Sequence, residues 1–173
     1  DLAFFGPGQT YDTGPLRILS GSEGISNDGL YTDSTLAINV TTGKLVWFFQ
    51  HLPNHQWDYD WAFERQVLPL PVNGRTRPVV VTGGKQAIFD AMEADTGKYV
   101  FSFDLGLQNV VKAVDPATGA KTIDESLVPG DGTTKFTCPH AGGAKSWLPS
   151  SYNPRTRILY VTLVEACMDL TPV

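Results

Sequence analysis

Ala37-Ile38-Asn39-Val40-Thr41-Thr42-Gly43-Lys44-Leu45-Val46-Trp47 puts strand-forming residues on both sides of a Thr-Gly-Lys turn. The Asn side chain opens such a turn by bonding its own backbone, and the Gly accepts the positive φ of a tight hairpin. The pattern returns in Met92-Glu93-Ala94-Asp95-Thr96-Gly97-Lys98-Tyr99-Val100-Phe101 and in Ala113-Val114-Asp115-Pro116-Ala117-Thr118-Gly119-Ala120-Lys121. A degenerate copy runs from Tyr152 through Asn153-Pro154-Arg155-Thr156-Arg157 to Tyr160. Four such hairpins in 173 residues predict an antiparallel, all-β meander with internal repetition.

Working outward, Pro78-Val79-Val80-Val81-Thr82, Ala87-Ile88-Phe89 and Ile158 to Val164 read as further strands. No stretch holds a 3.6-residue apolar period over ten residues. The 17 glycines, 12 prolines and frequent aromatic residues favour short strands joined by turns. Three segments read as irregular: Gly6 to Gly29, Gln50 to Arg65 and Pro129 to Pro149. Long loops on a rigid β scaffold are where binding chemistry sits, and these hold nearly every chemically distinctive residue.

A formal charge of -5 without a basic run argues against nucleic acid or an anionic membrane as partner. No apolar stretch approaches the roughly 20 residues of a membrane-spanning helix. Asp1-Leu2-Ala3-Phe4-Phe5 reads as a strand already in progress, and Asp169 to Val173 stops without a capping element. The expectation is an internal piece, residues 1–173, of a longer chain. Cys138 and Cys167 leave two readings open. They are either reduced core thiols or a disulfide worth ~3 kcal/mol in the chain-entropy account, which would imply an oxidising compartment.

Trp57-Asp58-Tyr59-Asp60-Trp61 is the most suggestive short segment. Extended backbone sends Asp58 and Asp60 to one side, and two neighbouring carboxylates away from water stay ionised only beside a cation. A hard metal ion fits oxygen ligands of that kind. The plainer alternative is a solvated loop whose aromatics touch a neighbouring sheet. Pro53 rules out a regular helix between His51 and His55, so both histidines are expected to be structural. Lys85 follows Gly83-Gly84 between two strands, where the backbone can approach a ligand closely. The run is not a phosphate-binding loop, which needs an upstream glycine and a following helix.

Together these segments resemble the quinoprotein methanol and alcohol dehydrogenases, from end to end of the chain. Ala37-x-Asn39-x-x-Thr42-Gly43-Lys44-x-x-Trp47 resembles that family's tryptophan-docking repeat, in which the Trp wedges between propeller blades. The resemblance implies part of an eight-bladed β-propeller, about three blades of antiparallel four-stranded sheets. It implies pyrroloquinoline quinone as cofactor, Asp58 as catalytic base, and Lys85 against the quinone carbonyl oxygens. It also implies a Cys138–Cys167 disulfide, from Cys138-Pro139 and Cys167-Met168-Asp169. Gln9, in Gly6-Pro7-Gly8-Gln9, stands where the family places a metal-binding Asn and offers the same amide oxygen on a longer arm. Ser146 stands where an Asn commonly contacts the quinone, with Trp147 beside it. Asp60 adds a carboxylate that calcium-dependent members lack and lanthanide-dependent members carry. The implied metal set is therefore Gln9, Asp58 and Asp60, around calcium or, favoured by Asp60, a lanthanide ion. The implied reaction is oxidation of an alcohol or sugar by hydride transfer to the quinone. A bacterial periplasmic location and a cytochrome c acceptor go with it. The alternative is a non-catalytic propeller that scaffolds assembly in the bacterial envelope.

Overall fold

The repeated turn closes in the same way at all four places. Gly43, Gly97, Gly119 and Arg157 each donate a backbone hydrogen bond, 2.8 to 2.9 Å long, to the carbonyl four residues back. Those carbonyls belong to Asn39, Glu93, Asp115 and Asn153. The Asn39, Asp115 and Asn153 side chains also accept from the two amides that follow in the turn. Glu93 has a longer side chain and turns instead to Arg77, 3.3 Å away. The donor in every copy has a left-handed backbone, including Arg157 at φ 59°.

The computed structural model describes residues 1–9, 29–130 and 132–171, so 10–28 of the Gly6 to Gly29 segment lie outside the described residues. The strands are β1 (Leu2–Phe5), β2 (Ser34–Asn39), β3 (Leu45–Gln50), β4 (Gln66–Val72), β5 (Arg75–Gly83), β6 (Ile88–Glu93) and β7 (Tyr99–Asp104). They continue with β8 (Val111–Val114), β9 (Lys121–Ile123), β10 (Lys135–Thr137), β11 (Ser151–Asn153), β12 (Ile158–Tyr160) and β13 (Met168–Leu170). All pairing is antiparallel. Among the described residues β4-β5-β6-β7 make a complete four-stranded sheet and β1-β2-β3 a three-stranded one. The pairs β8-β9, β11-β12 and β10-β13 make two-stranded ones.

Two strands depart from the sequence reading. β4 carries Pro69 and Pro71, which argue against a strand, yet it occupies the sheet edge, where a missing N–H costs no ladder bond. It enters β5 through Asn73-Gly74, both with positive φ, the dipeptide that tight hairpins select. The strand expected over Ile158 to Val164 pairs only as far as Tyr160. The chain then leaves the hairpin, and Val164 donates to the Ala144 carbonyl at 2.8 Å, in the loop that flanks Lys85.

Trp47 joins the first sheet to the second. Its ring is buried with Ala37, Val80, Met92 and Ala94, and its Nε1–H donates to the Ala94 carbonyl at 3.1 Å. The ring lies on the β6–β7 turn so closely that a methyl group on Gly97 would stand 2.6 Å from Cδ2. Gly43 has the same left-handed backbone, φ 69° against 71°, but open space around it. The pair separates backbone strain from docking. Gly43→Ala should cost about 1 kcal/mol, and Gly97→Ala a further 1–3 kcal/mol from overpacking against the indole. Denaturant unfolding of the two variants checks this; equal losses would show that the indole gives way to the added methyl without cost.

Candidate active site

The Gln50 to Arg65 loop connects β3 to β4 and is built on alternation. Trp57, Tyr59 and Trp61 are all buried, in one core cluster with Leu52, Ile88, Val110 and Val111. Trp57 Nε1 donates to the Leu127 carbonyl at 2.9 Å and the Tyr59 hydroxyl to the Pro139 carbonyl at 2.5 Å. With the aromatics anchored inward, Asp58 and Asp60 come out together on the opposite side. Asp58 takes a left-handed φ of 61° at the apex.

Lys85 meets both carboxylates from the β5–β6 turn. Its Nζ lies 3.1 Å from Asp58 Oδ1 and 2.9 Å from Asp60 Oδ2, and donates to the Asp58 carbonyl at 2.7 Å. Lys85 N–H donates to the Asp60 carbonyl at 3.1 Å, so main chain and side chain face the same loop. Gly84 allows the approach, since a Cβ there would stand 2.3 Å from the Trp61 ring. Gln9 closes the third side. Its N–H donates to Asp60 Oδ1 at 3.0 Å and its Nε2 to Asp58 Oδ1 at 2.7 Å. Gln9 Oε1 is buried with no hydrogen-bond partner among the described residues. Burial pushes the Asp60 carboxyl up, but the Lys85 ammonium and the Gln9 N–H outweigh it and hold it below the usual carboxylate range.

This arrangement brings four of the sequence-derived residues together. Two carboxylates against one ammonium leave net negative charge around an unpartnered amide oxygen. An oxygen-seeking cation suits that donor set. Among the described residues no three or more His, Cys, Asp and Glu side chains gather for a metal, so the third oxygen on offer is the Gln9 amide.

The family model for the PQQ glucose/ethanol/alcohol dehydrogenase β-propeller domain matches residues 19–105, about half the chain. The chain belongs to this quinoprotein dehydrogenase family. The dehydrogenase subunit of the quinone alcohol dehydrogenase of Gluconobacter oxydans is 32% identical over 162 residues, 93% of this chain and 21% of that subunit. The chain thus spans about a fifth of the length of the curated relatives it matches. The solved quinohemoprotein alcohol dehydrogenase ADHIIG of Pseudomonas putida superposes with a TM-score of 0.78 at 29% identity, covering 92% of this chain and 23% of that one. A europium-containing methanol dehydrogenase shares the fold, with a TM-score of 0.80 at 22% identity over 92% of this chain and 27% of its own. The repeated hairpins and the Trp47 contact are accordingly parts of a quinoprotein β-propeller.

The other sequence-derived residues lie nearby or brace the surroundings. Ala144 N–H donates to the Lys85 carbonyl at 2.8 Å, which puts Ser146 and Trp147 on the loop beside the lysine. Trp147 is 70% exposed, with its ring edge-on to Phe63. Cys138 and Cys167 are bonded as the family resemblance implies, immediately outside the β10–β13 pair Thr137 and Met168.

Sequence reasoning missed a set of buried charges around the site. Lys145 is almost fully buried and meets Glu64 at 2.7 Å, while Ser150 gives Glu64 both its N–H and its hydroxyl. Despite burial, these donors lower the Glu64 carboxyl to about 2. Asp90, inside β6, meets His51 Nδ1 at 2.7 Å and Lys121 Nζ at 2.6 Å, with none of the three side chains exposed. His51 stacks on Trp61 at 4.2 Å between centroids, and Lys121 lies 5.1 Å from the centroid of that ring. Each partner is far away in sequence, and no local pattern announces the pairing.

Burial lowers the His51 imidazole to about 4, against the pull of Asp90, and keeps it neutral in the fold. The unfolded chain takes up that proton near pH 6.5, so acid favours unfolding from there down to about 4. Asp90, held at about 2 against burial by Lys121 and His51, adds a second loss below its ordinary value of 3.8. The midpoint of thermal unfolding should therefore fall between pH 6.5 and 4, and His51→Gln should flatten that limb. An unchanged slope in the variant would assign the acid sensitivity to other groups.

Proposed function

We propose that the protein to which this chain contributes oxidises a primary or secondary alcohol, or a sugar, using pyrroloquinoline quinone and a bound metal ion. The observation that carries this reading is the convergence of Asp58, Asp60 and Lys85 beside a Gln9 oxygen that has no partner among the described residues. Gln9 Oε1, Asp58 and Asp60 would hold the metal; Lys85, Ser146 and Trp147 would face the quinone. When bound, the quinone supplies the two-electron acceptor and the metal a Lewis acid.

The chain's own residues do the rest. Asp58 takes the proton from the alcohol hydroxyl; its side chain is 43% exposed, the most accessible of the three charged groups. Lys85, with a 9% exposed side chain, sets a positive charge beside oxygens that become negative as the substrate is oxidised. Asp60 stays ionised through Lys85 and gives the metal site a further anionic oxygen, which favours a lanthanide over calcium. Exposed Trp147 offers an open aromatic surface to a planar ligand. A propeller that only scaffolds an assembly would keep the hairpins and the Trp47 contact without this loop chemistry.

The disulfide supports an oxidising compartment, and the periplasm is the location proposed. The cytochrome c in the name of a 27% identical relative, the lupanine 17-hydroxylase (cytochrome c) of Pseudomonas sp, supports a cytochrome c electron acceptor. Dye-linked alcohol oxidation by the full-length protein tests the reading, with the quinone added and calcium and lanthanum in parallel. Turnover should require the quinone and be higher with lanthanum. Asp58→Asn should lower kcat by about 10²–10⁴-fold, and Asp60→Asn should shift the preference toward calcium. No quinone uptake and no turnover across alcohols and sugars would return the protein to the scaffold class.

A further inference from the structure

We propose that Asp33 is the positioning residue of the site, a buried clasp whose carboxylate holds both feet of the 55–61 loop that presents Asp58 and Asp60. Asp33 Oδ2 lies 2.6 Å from His55 Nε2 at the entry of the loop. Asp33 Oδ1 accepts from the Trp61 N–H at 3.2 Å at its exit. Asp58 sits midway between the two feet. The Asp33 main chain extends the same function, since its carbonyl accepts from the His51 N–H at 2.8 Å and its N–H points to the Gly8 carbonyl at 3.4 Å. Gly8 precedes Gln9, and a Cβ on Gly8 would stand 2.8 Å from Asp60 Oδ1. One residue thereby sets the distance between the segment after β1 that carries Gln9 and the loop that carries both carboxylates.

Three features separate this clasp from an ordinary turn contact. Asp33 and His55 are 1% and 3% exposed, so water does not compete for their hydrogen bonds. Asp33 has a left-handed φ of 48°, a backbone that must be held by its surroundings. A hydroxyl side chain could accept from the Trp61 amide alone, whereas a carboxylate has a second oxygen for His55. Nothing in this arrangement places Asp33 on substrate, cofactor or metal; it acts through Gln9, Asp58 and Asp60.

The inference rests on the metal site proposed above, and the test keeps the two apart. In the full-length protein, calcium and lanthanum affinities are measured by competition with a chelator, and amide exchange is followed over 55–61 and over β4–β7. Asp33→Leu removes both acceptors and should weaken metal binding about 10–100-fold, with faster exchange confined to 55–61. Asp33→Asn keeps an acceptor for Trp61 and a partner for His55, and should bind metal within about threefold of the unaltered protein. His55→Leu frees one foot and should fall between them. Asp33→Leu or, should that variant not fold, His55→Leu with unaltered metal affinity and loop exchange would overturn the clasp. An unaltered protein that takes up neither ion would overturn the metal site, while loop exchange in the variants would still decide the clasp.

Discussion

Burying Trp57, Tyr59 and Trp61 in one core cluster leaves Asp58, at its left-handed apex, and Asp60 together on the open side of the loop, and the site follows from that constraint. An isolated pair of carboxylates so close together would repel, and one would take up a proton. Lys85 removes that outcome by reaching both, and the β5–β6 turn delivers it because Gly84 lies against the same Trp61 that anchors the carboxylates. The aromatic side of the loop thus fixes the acidic side twice, through the chain itself and through the packing of the lysine's turn.

The same economy appears where the sheets join. Trp47 belongs to the first sheet, but its ring and Nε1–H are satisfied in the second, on the β6–β7 turn. A hairpin that closes locally leaves its strands free to shift against the next sheet. An indole seated on the neighbouring turn, with a hydrogen bond to Ala94, fixes that register. The loops, and the charged groups on them, inherit their alignment from this contact.

What the sequence disclosed and what it withheld divide along the range of the interactions. The four hairpins are legible because Asn39, Asp115 and Asn153 bond amides two or three residues on. The alternation of Trp57 to Trp61 is legible for the same reason. β4 is missing from the sequence reading: Pro69 and Pro71 count against a strand, although Asn73-Gly74 at its end is a strong hairpin signal. Its edge position, which only the assembled sheet reveals, makes the prolines harmless. Glu64 and Lys145 are 81 residues apart, His51 and Asp90 39, Asp33 and His55 22. No spacing rule links residues so distant, and each reads singly as a solvated charge or a structural histidine without a named partner. The family resemblance supplied the Lys85 and Gln9 assignments, which local chemistry alone does not single out.

The disulfide gives the Trp147 loop an order of assembly. Cys138 and Cys167 close a ring of chain that contains Gly143, Lys145, Ser146 and Trp147, and His140 donates its N–H to the Ala166 carbonyl inside that ring. The ring forms by oxidation, which requires no ligand. Ser146 and Trp147 are therefore held within a covalently closed ring whether or not a ligand is present. A chain whose thiols stay reduced would hold the same residues by the β10–β13 pair and backbone hydrogen bonds alone, with more freedom left in the ring. The compartment in which the protein folds thereby becomes part of how the site is made ready.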